Sequence, residues 1–352
     1  MLTARRTAVP LALAAASVVA AGSQALAAPP KGAWTSSVPA LTRPAALYGV
    51  AAPKRQVAWT VGSEAKGTKP VVLRWDGTTW KRDAVPGGIA PEIVGVASNG
   101  KRNAWAIAQS GAPDDARSLH WDGLSWKAVP YPLPLPLAVS VDSGGTAWSA
   151  GCAEQQNDCA VLQYKGGQWV RHPALPLATV AARTPRDVWA GGAGDWTDKT
   201  GLRHYDGRTW TKVEFPTQWS QWILQIVPVS AREVWVYTLP QDPLFSGPTL
   251  MRLKDGVWTE HKPPRPTVQA RASIIGNGFL GRIAPDGRGG VWLQTNQTDS
   301  YQHFDGTSWT KVPRSLPFDG APFMYGLAQV GSSRTVLGAG YGGAVPVIER
   351  FR

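Results

Sequence analysis

The chain has 352 residues, with 36 Lys and Arg against 24 Asp and Glu, a formal net charge of +12 at neutral pH. Apolar residues make up 43% and 18 residues are Trp, a composition that excludes an acidic disordered tail or a low-complexity segment. After the first residues, no stretch is apolar for long enough to cross a bilayer as a helix.

Met1–Ala27 reads as a secretory signal peptide. Arg5 and Arg6 form the basic n-region, Ala8–Gly22 the apolar h-region, and Ala25-Leu26-Ala27 the small-residue cleavage site. The expected mature protein, from Ala28, is secreted and carries 34 basic against 24 acidic side chains once Arg5 and Arg6 are gone. That excess favours anionic surroundings such as a polyanionic cell-wall polymer. The basic residues are scattered rather than blocked, which argues against nucleic acid. Cys152 and Cys159 are the two cysteines of the chain, and in an exported protein their spacing points to a hairpin disulfide.

From Leu47 onward two units alternate. The first is a short apolar strand, a polar turn and a strand centred on Trp. Its copies are Leu47–Gly62, Ile93–Ala108, Leu137–Gly151, Ala178–Gly192, Ile223–Tyr237 and Leu280–Gln294, with a seventh at Tyr325–Gly340 where Leu337 replaces Trp. The second is an alternating strand, an Asp-Gly-type turn, and a strand that opens near Trp and closes at Pro. It appears at Leu73–Pro86, Leu119–Pro130, Leu162–Pro173, Leu202–Pro216, Leu250–Pro264 and Gln302–Pro313. Asp-Gly tolerates the positive φ of a two-residue type I′ turn, so each copy is expected to be a tight hairpin. Strands a, b, c and d then make one four-stranded antiparallel unit with a period of a propeller blade.

The ends complete the count. Val347–Arg352 matches strand c of the seventh unit, and Lys31–Pro39 has the form of the missing strand d. The N-terminal strand is expected to close the ring, which removes exposed sheet edges. Fifteen tryptophans recur at fixed places and are expected to form the packing between blades. They are Trp34, Trp80, Trp126, Trp169, Trp210, Trp258 and Trp309 in strand d, Trp59, Trp105, Trp148, Trp189, Trp235 and Trp292 in strand b, and Trp75 and Trp121 before the turn.

A glycine ending strand b (Gly62, Gly151, Gly191-Gly192), an aromatic-Asp pair before the turn and Trp-Thr-x-Val-Pro after it resemble kelch and galactose-oxidase-type blades. The resemblance implies an all-β fold, a seven-bladed β-propeller of four-stranded antiparallel blades over residues 28–352. It does not imply an activity, because propellers host enzymes and binding modules alike. The copper chemistry of galactose oxidases is not carried over, since both cysteines fit a disulfide and all five histidines follow the repeat. His120, His204 and His303 precede a turn Asp by two residues, and His172 and His261 follow a strand-d Trp by three. Gly95–Lys101 fits a phosphate-loop spacing, but Arg102 stands where Ser or Thr would hold Mg²⁺. No cofactor or metal is expected.

Two patterns stand outside the packing. The a–b turns carry Lys54, Arg55, Lys101, Arg102, Arg186, Arg232, Arg288 and Arg334, a ring of positive charge on one face. It reads either as attachment to an anionic surface or as solvated turn residues locally offset by Asp187 and Glu233. Trp196, Trp219 and Trp222 do not recur, and they belong to the b–c loop of the fourth unit and the connection to the fifth. With Asp195, Asp198, Gln218 and Gln221 they make a candidate ligand-binding cluster on the opposite face, where aromatic faces grip sugars or apolar groups. The alternative is a Trp222 buried at the start of strand a. The expected function is a secreted, non-enzymatic binding or scaffold protein for a glycan, a cell-wall polymer or an extracellular protein. The competing reading is an extracellular carbohydrate-active enzyme with its site at the channel mouth.

Overall fold

The computed structural model describes residues 31–154, 157–172, 178–192, 201–217, 220–240, 248–264, 282–294, 299–317, 320 and 322–352. The signal-peptide reading of residues 1–27 lies outside them. The strands form seven four-stranded sheets, six in the order a-b-c-d along the chain. Their inner strands a are Ala46–Lys54, Glu92–Gly100, Leu135–Val141, Thr179–Thr184, Gln221–Ser230 and Arg282–Pro285. The seventh sheet joins Phe323–Gln329, Val336–Gly342 and Val345–Phe351 to the N-terminal strand Trp34–Ser37. Every neighbouring pair is antiparallel within its blade, and no helix is long and apolar enough to cross a membrane among the described residues. The fold is a seven-bladed β-propeller.

Closure follows the pairing expected from the repeat. Trp34 pairs with Phe351 and Ser37 with Ile348, so the strand docks as strand d beside strand c. Trp34 stacks on Tyr301 of blade 6 with centroids 3.8 Å apart, and Trp292 meets it edge-on at 5.3 Å. Beneath this contact lies a fully buried ion pair, Arg314 Nη2 to Glu349 Oε2 at 2.6 Å. Glu349 also accepts hydrogen bonds from the Tyr301 hydroxyl at 2.7 Å and the Ser36 hydroxyl at 3.2 Å. A buried ion pair is tolerated only when its remaining lone pairs are satisfied, and here residues of blades 6 and 7 and the N-terminal strand satisfy them together.

The core sits between blades. Each apolar cluster joins neighbouring sheets; one, for example, packs Trp59 and Val61 of blade 1 against Ile93, Trp121 and Trp126 of blade 2. Strand-d tryptophans reach back to the preceding blade: Trp126 donates to Asp83, Trp169 to Ser118, Trp210 to His172 and Trp258 to the Glu214 carbonyl. The inner strands approach closely at glycines. A Cβ on Gly326 would stand 2.7 Å from the Val50 backbone nitrogen, which only glycine avoids. Of the fifteen repeating tryptophans, Trp75, Trp80, Trp210 and Trp258 are only partly buried, because outer strands d are short and leave ring edges in solvent.

The c–d turns correct one expectation. Trp75 faces Trp80, leaving a four-residue loop rather than a two-residue turn, and the copies at Asp122, Asp206 and Asp305 match it. Asp76 Oδ1 accepts the amides of Thr78 and Thr79, both at 2.9 Å, so the carboxylate closes the loop and only Gly77 needs positive φ. The copies at Leu162–Pro173 and Leu250–Pro264 are the ones with type I′ turns: Gly166-Gly167 and Asp255-Gly256 have both central φ positive, between strand residues that pair directly.

Cys152 and Cys159 are bonded and buried, on facing strands of blade 3. Three outcomes are expected. Trp34→Ala should lower unfolding free energy by about 3–5 kcal/mol, and a chain starting at Ala40 should lose more, read by chemical denaturation. The Cys152→Ser, Cys159→Ser variant should lose about 2 kcal/mol or less, because so short a loop constrains little of the unfolded chain.

Candidate functional site

The histidines are blade residues by geometry as well as by spacing. Trp105, Trp189 and Trp292 of strand b face His120, His204 and His303 of strand c, with ring centroids 4.4–4.5 Å apart. In blades 1 and 5 an arginine takes the same place, and Arg252 lies over the Trp235 ring at 4.8 Å. The outer nitrogen of each ring is then satisfied from strand b or the a–b turn: His204 by Asp187 and His303 by Asp286, each at 2.9 Å, and His120 by Asn103 at 3.1 Å. Position and partner are both explained by packing.

The basic turn residues Lys54, Arg55, Lys101, Arg102, Arg186, Arg232, Arg288 and Arg334 are all exposed on the turn face. Asp187 and Glu233 are not their local partners, as the sequence suggested, because both point into the blade. Asp187 holds Arg183, His204 and Trp189, and Glu233 holds Arg252. The offset comes instead from the c–d turns on the same face, which present Asp76, Asp122, Asp206, Asp255 and Asp305. Arg232 pairs with Asp255. Asp76 and Asp122 are held well below the usual carboxylate range by the Lys81 and Lys127 ammonium groups and then by turn amides, and the Thr209 and Arg208 amides lower Asp206. The stems of Arg102 and Arg186 lie over the turn glycines, where a Cβ on Gly123 or Gly207 would meet them at 3.2 and 2.6 Å.

The other end of the channel is different. A cavity of about 690 Å³ opens among the inner strands of all seven blades, lined in part by Tyr48, Trp222, Gln225, Arg282 and Tyr325. A row of rings borders it: Phe323 to Tyr341 at 5.8 Å, Tyr341 to Tyr325 at 5.9 Å, and Tyr325 edge-on to Tyr48 of blade 1 at 5.6 Å. Burial pushes the Tyr325 hydroxyl up, and its neighbour Tyr341 adds to the rise. Burial also raises Tyr48, a hydrogen bond with Ser63 opposes it, and the Glu92 carboxylate adds to it. Both phenols are therefore protonated donors at neutral pH. Arg282 Nε donates to the Tyr325 carbonyl at 2.9 Å, and burial pushes its guanidinium down without discharging it.

Trp222 sits second in strand a of blade 5 and is 46% exposed, so the buried alternative does not hold for this ring. Adjacent Gln221 is buried, with its amide donating to Thr217 Oγ1 at 2.8 Å. Trp196, Asp195, Asp198, Gln218 and Trp219 lie outside the described residues. Sequence reasoning missed Tyr48, Tyr325, Tyr341 and Arg282. The available signal was Tyr-Gly in strand a of the first and last units alone, which become neighbours only when the ring closes.

No protein-family profile matches the sequence, and no curated protein sequence matches it. The fold does have solved counterparts. A structure described as YCF48 bound to a D1 peptide is 18% identical, with a TM-score of 0.58, over 93% of this chain and 99% of that one. A GH74 xyloglucanase from Xanthomonas campestris is 14% identical at a TM-score of 0.59, over 90% of this chain and 55% of that one. The Cps50 (Swd1) β-propeller domain of Myceliophteria thermophila is 14% identical at 0.56, over 91% and 99%. Such likeness shows the fold alone.

Three partly buried histidines set a pH dependence. Burial pushes His120 and His172 down and His261 down to about 4, with nearby Arg252 adding to the last. The unfolded chain then binds more protons between these values and the ordinary value of about 6.5. Their stabilisation is complete above about 6.5 and is lost as pH falls toward about 4. Denaturation midpoints should fall across that window, and His261→Gln should flatten the slope.

Proposed function

We propose that this chain is an exported binding module that takes its ligand at the channel mouth, on the face of the b–c loops and d–a connections. The observation that carries the reading is a local break in the repeat. Six inner-strand and neighbouring residues, Tyr48, Trp222, Arg282, Phe323, Tyr325 and Tyr341, line or border one cavity, and no other blade position repeats them. Trp222 leaves much of a large apolar ring in water, which costs folding free energy unless a partner covers it. Rigid aromatics at the mouth of a pocket are suited to a sugar ring or an extended peptide.

Export is part of the proposal. It is supported by the signal-peptide pattern of Met1–Ala27 and by the Cys152–Cys159 bond, which persists in oxidising compartments. A peptide ligand gains support from the structural neighbour described with a bound peptide. A glycan or cell-wall polymer gains it from the exposed tryptophan. The turn face, with carboxylates set among its basic residues, is the less favoured surface for a polyanion.

The test is a screen of residues 28–352 against glycans, wall polymers and peptides, followed by Trp222→Ala and Tyr48→Ala. Each change should weaken the ligand found by about 1–3 kcal/mol, while Trp222→Ala leaves thermal unfolding nearly unchanged. Unaltered binding in the double variant would rule out the channel mouth.

A further inference from the structure

Two seams between blades are built from the same parts, and they differ in one charge. At the first, the Arg74 guanidinium of blade 1 lies over the Trp121 ring of blade 2 at 5.1 Å. Asp83 accepts the Arg74 Nε–H on both carboxylate oxygens at 3.0 Å, and the Trp126 indole N–H of blade 2 at 3.3 Å. Trp121 and Trp126 stand 5.8 Å apart, tilted by 50°. At the closing seam, Arg350 of blade 7 lies over Trp75 of blade 1 at 5.9 Å. Trp75 and Trp80 stand 5.5 Å apart, tilted by 54°. The registers coincide too. Arg74 pairs with Lys81 and Arg350 with Thr35, so Ser37 occupies the place that Asp83 holds in blade 1.

No acidic side chain takes up Arg350 among the described residues. Ser37 donates its hydroxyl to the Ile348 carbonyl at 3.3 Å. In blade 5 the carboxylate comes from strand b instead, where Glu233 meets Arg252 at 2.8 Å, but its counterpart in blade 7 is Thr335. Glu349, next in sequence, points to the opposite face of the strand, where Arg314 neutralises it. Asp76 is held by Lys81 at 2.8 Å and by the amides of its own turn. The Arg350 Nε is enclosed without a hydrogen bond, whereas the terminal nitrogens, also unbonded, keep contact with solvent. The Trp80 indole N–H, unlike that of Trp126, donates to no group among the described residues.

The surroundings are positive. Where Asp76 follows Trp75 in blade 1, Arg352 follows Phe351 in blade 7. Burial lowers the Arg350 guanidinium from its ordinary value, and the charges of exposed Arg352 and Arg55 lower it further. It stays protonated at neutral pH. An enclosed donor without a partner costs folding free energy, and like charges around it add to the cost. A carboxylate brought from outside would relieve both.

We propose that the outer rim of the seam between blades 7 and 1 docks an acidic side chain of a partner protein, its carboxylate seated between the terminal nitrogens of Arg350 and the Trp80 indole N–H. Arg55 and Arg352 flank the seat. The class of partner follows from the first seam, where the same arginine, ring pair and indole hold an aspartate carried on extended chain just after strand d. Two carboxylate oxygens match the planar guanidinium fork, and the pairing is charge-assisted. Neither Arg350 nor Ser37 lines the channel cavity, so this surface is separate from the binding end proposed above.

The experiment compares two capped tripeptides, acetyl-Ser-Asp-Ser-amide and its Asn counterpart, on residues 28–352. Binding is read by titration and by ¹⁵N spectra of the arginine Nε–H groups. The Asp peptide should move the one arginine signal that Arg350→Gln removes. It should bind at least about tenfold more tightly than the Asn peptide, the difference one charge-assisted contact supplies. Arg350→Gln should abolish that preference. Ser37→Asp should abolish it as well, by supplying the carboxylate from within the chain, and should raise the thermal midpoint. Sodium glucuronate, sulfate and phosphate serve as further arms. Tighter binding of glucuronate than of the Asp peptide would assign the seam to an acidic glycan and overturn the protein partner. Equal binding of the two peptides, a stronger response to sulfate or phosphate, or a preference that survives Ser37→Asp would overturn the site itself. The peptide comparison needs only the native protein, so it stands even where Arg350→Gln does not fold.

Discussion

The pairing of Trp34–Ser37 with Val345–Phe351 converts seven stacked sheets into a ring. A propeller blade has no second layer of its own; each of its faces is buried only by the next blade, so an unclosed array exposes two apolar faces at its ends. Here the exposed pair would be blade 1, with Val71, Leu73 and Trp80, and blade 7, with Ala339 and Ile348. The closing strand does more than complete a hydrogen-bond ladder. Trp34 fills the space between blades 6 and 7, and Ser36 donates to the carboxylate that Arg314 neutralises in the dry interior. The same contacts specify register, since a slip of one residue would turn Trp34 outward and take the Ser36 hydroxyl away from the Glu349 carboxylate.

Elsewhere the ring is held by the same contact used many times. A strand-b tryptophan meets a polar strand-c residue across its own blade, and a strand-d tryptophan reaches to the blade before. Such nearest-neighbour construction spreads stability evenly and leaves individual positions free to vary between His and Arg, as blades 4 and 5 show. It also makes deviations meaningful. Where seven positions are free to be alike and two adjacent ones are tyrosine, packing alone does not account for the choice.

Much of the architecture was legible in the sequence because repeats average out local ambiguity. Trp at fixed spacing gave strands b and d, and the form of Lys31–Pro39 gave the closing strand and its partner. The turns were less legible. Asp-Gly carries the potential for a type I′ turn, but Asp76 and its equivalents use the carboxylate to cap two amides, and the side chain then sets loop length. The site was least legible. Tyr48 and Tyr325 are far apart in the chain and share a cavity only through closure, and Arg282 stands in a segment whose pattern resembled other blades. Trp222 was visible as an exception to the repeat, yet its exposure depended on where strand a begins.

The closing ladder joins residues 315 positions apart, Thr35 and Arg350 among them. A contact of that span carries nearly the full loop-closure entropy of the chain, and it forms only after the seventh blade is present to receive it. Until then strand c of that blade is an unpaired edge, and the N-terminal segment is a short strand without a sheet. Nothing in the ladder distinguishes a segment of the same molecule from that of another at equal geometry. In crowded refolding the two routes compete through effective concentration, so the fastest path to a ring and the simplest path to exchanged, chain-linked oligomers begin from the same half-built blade.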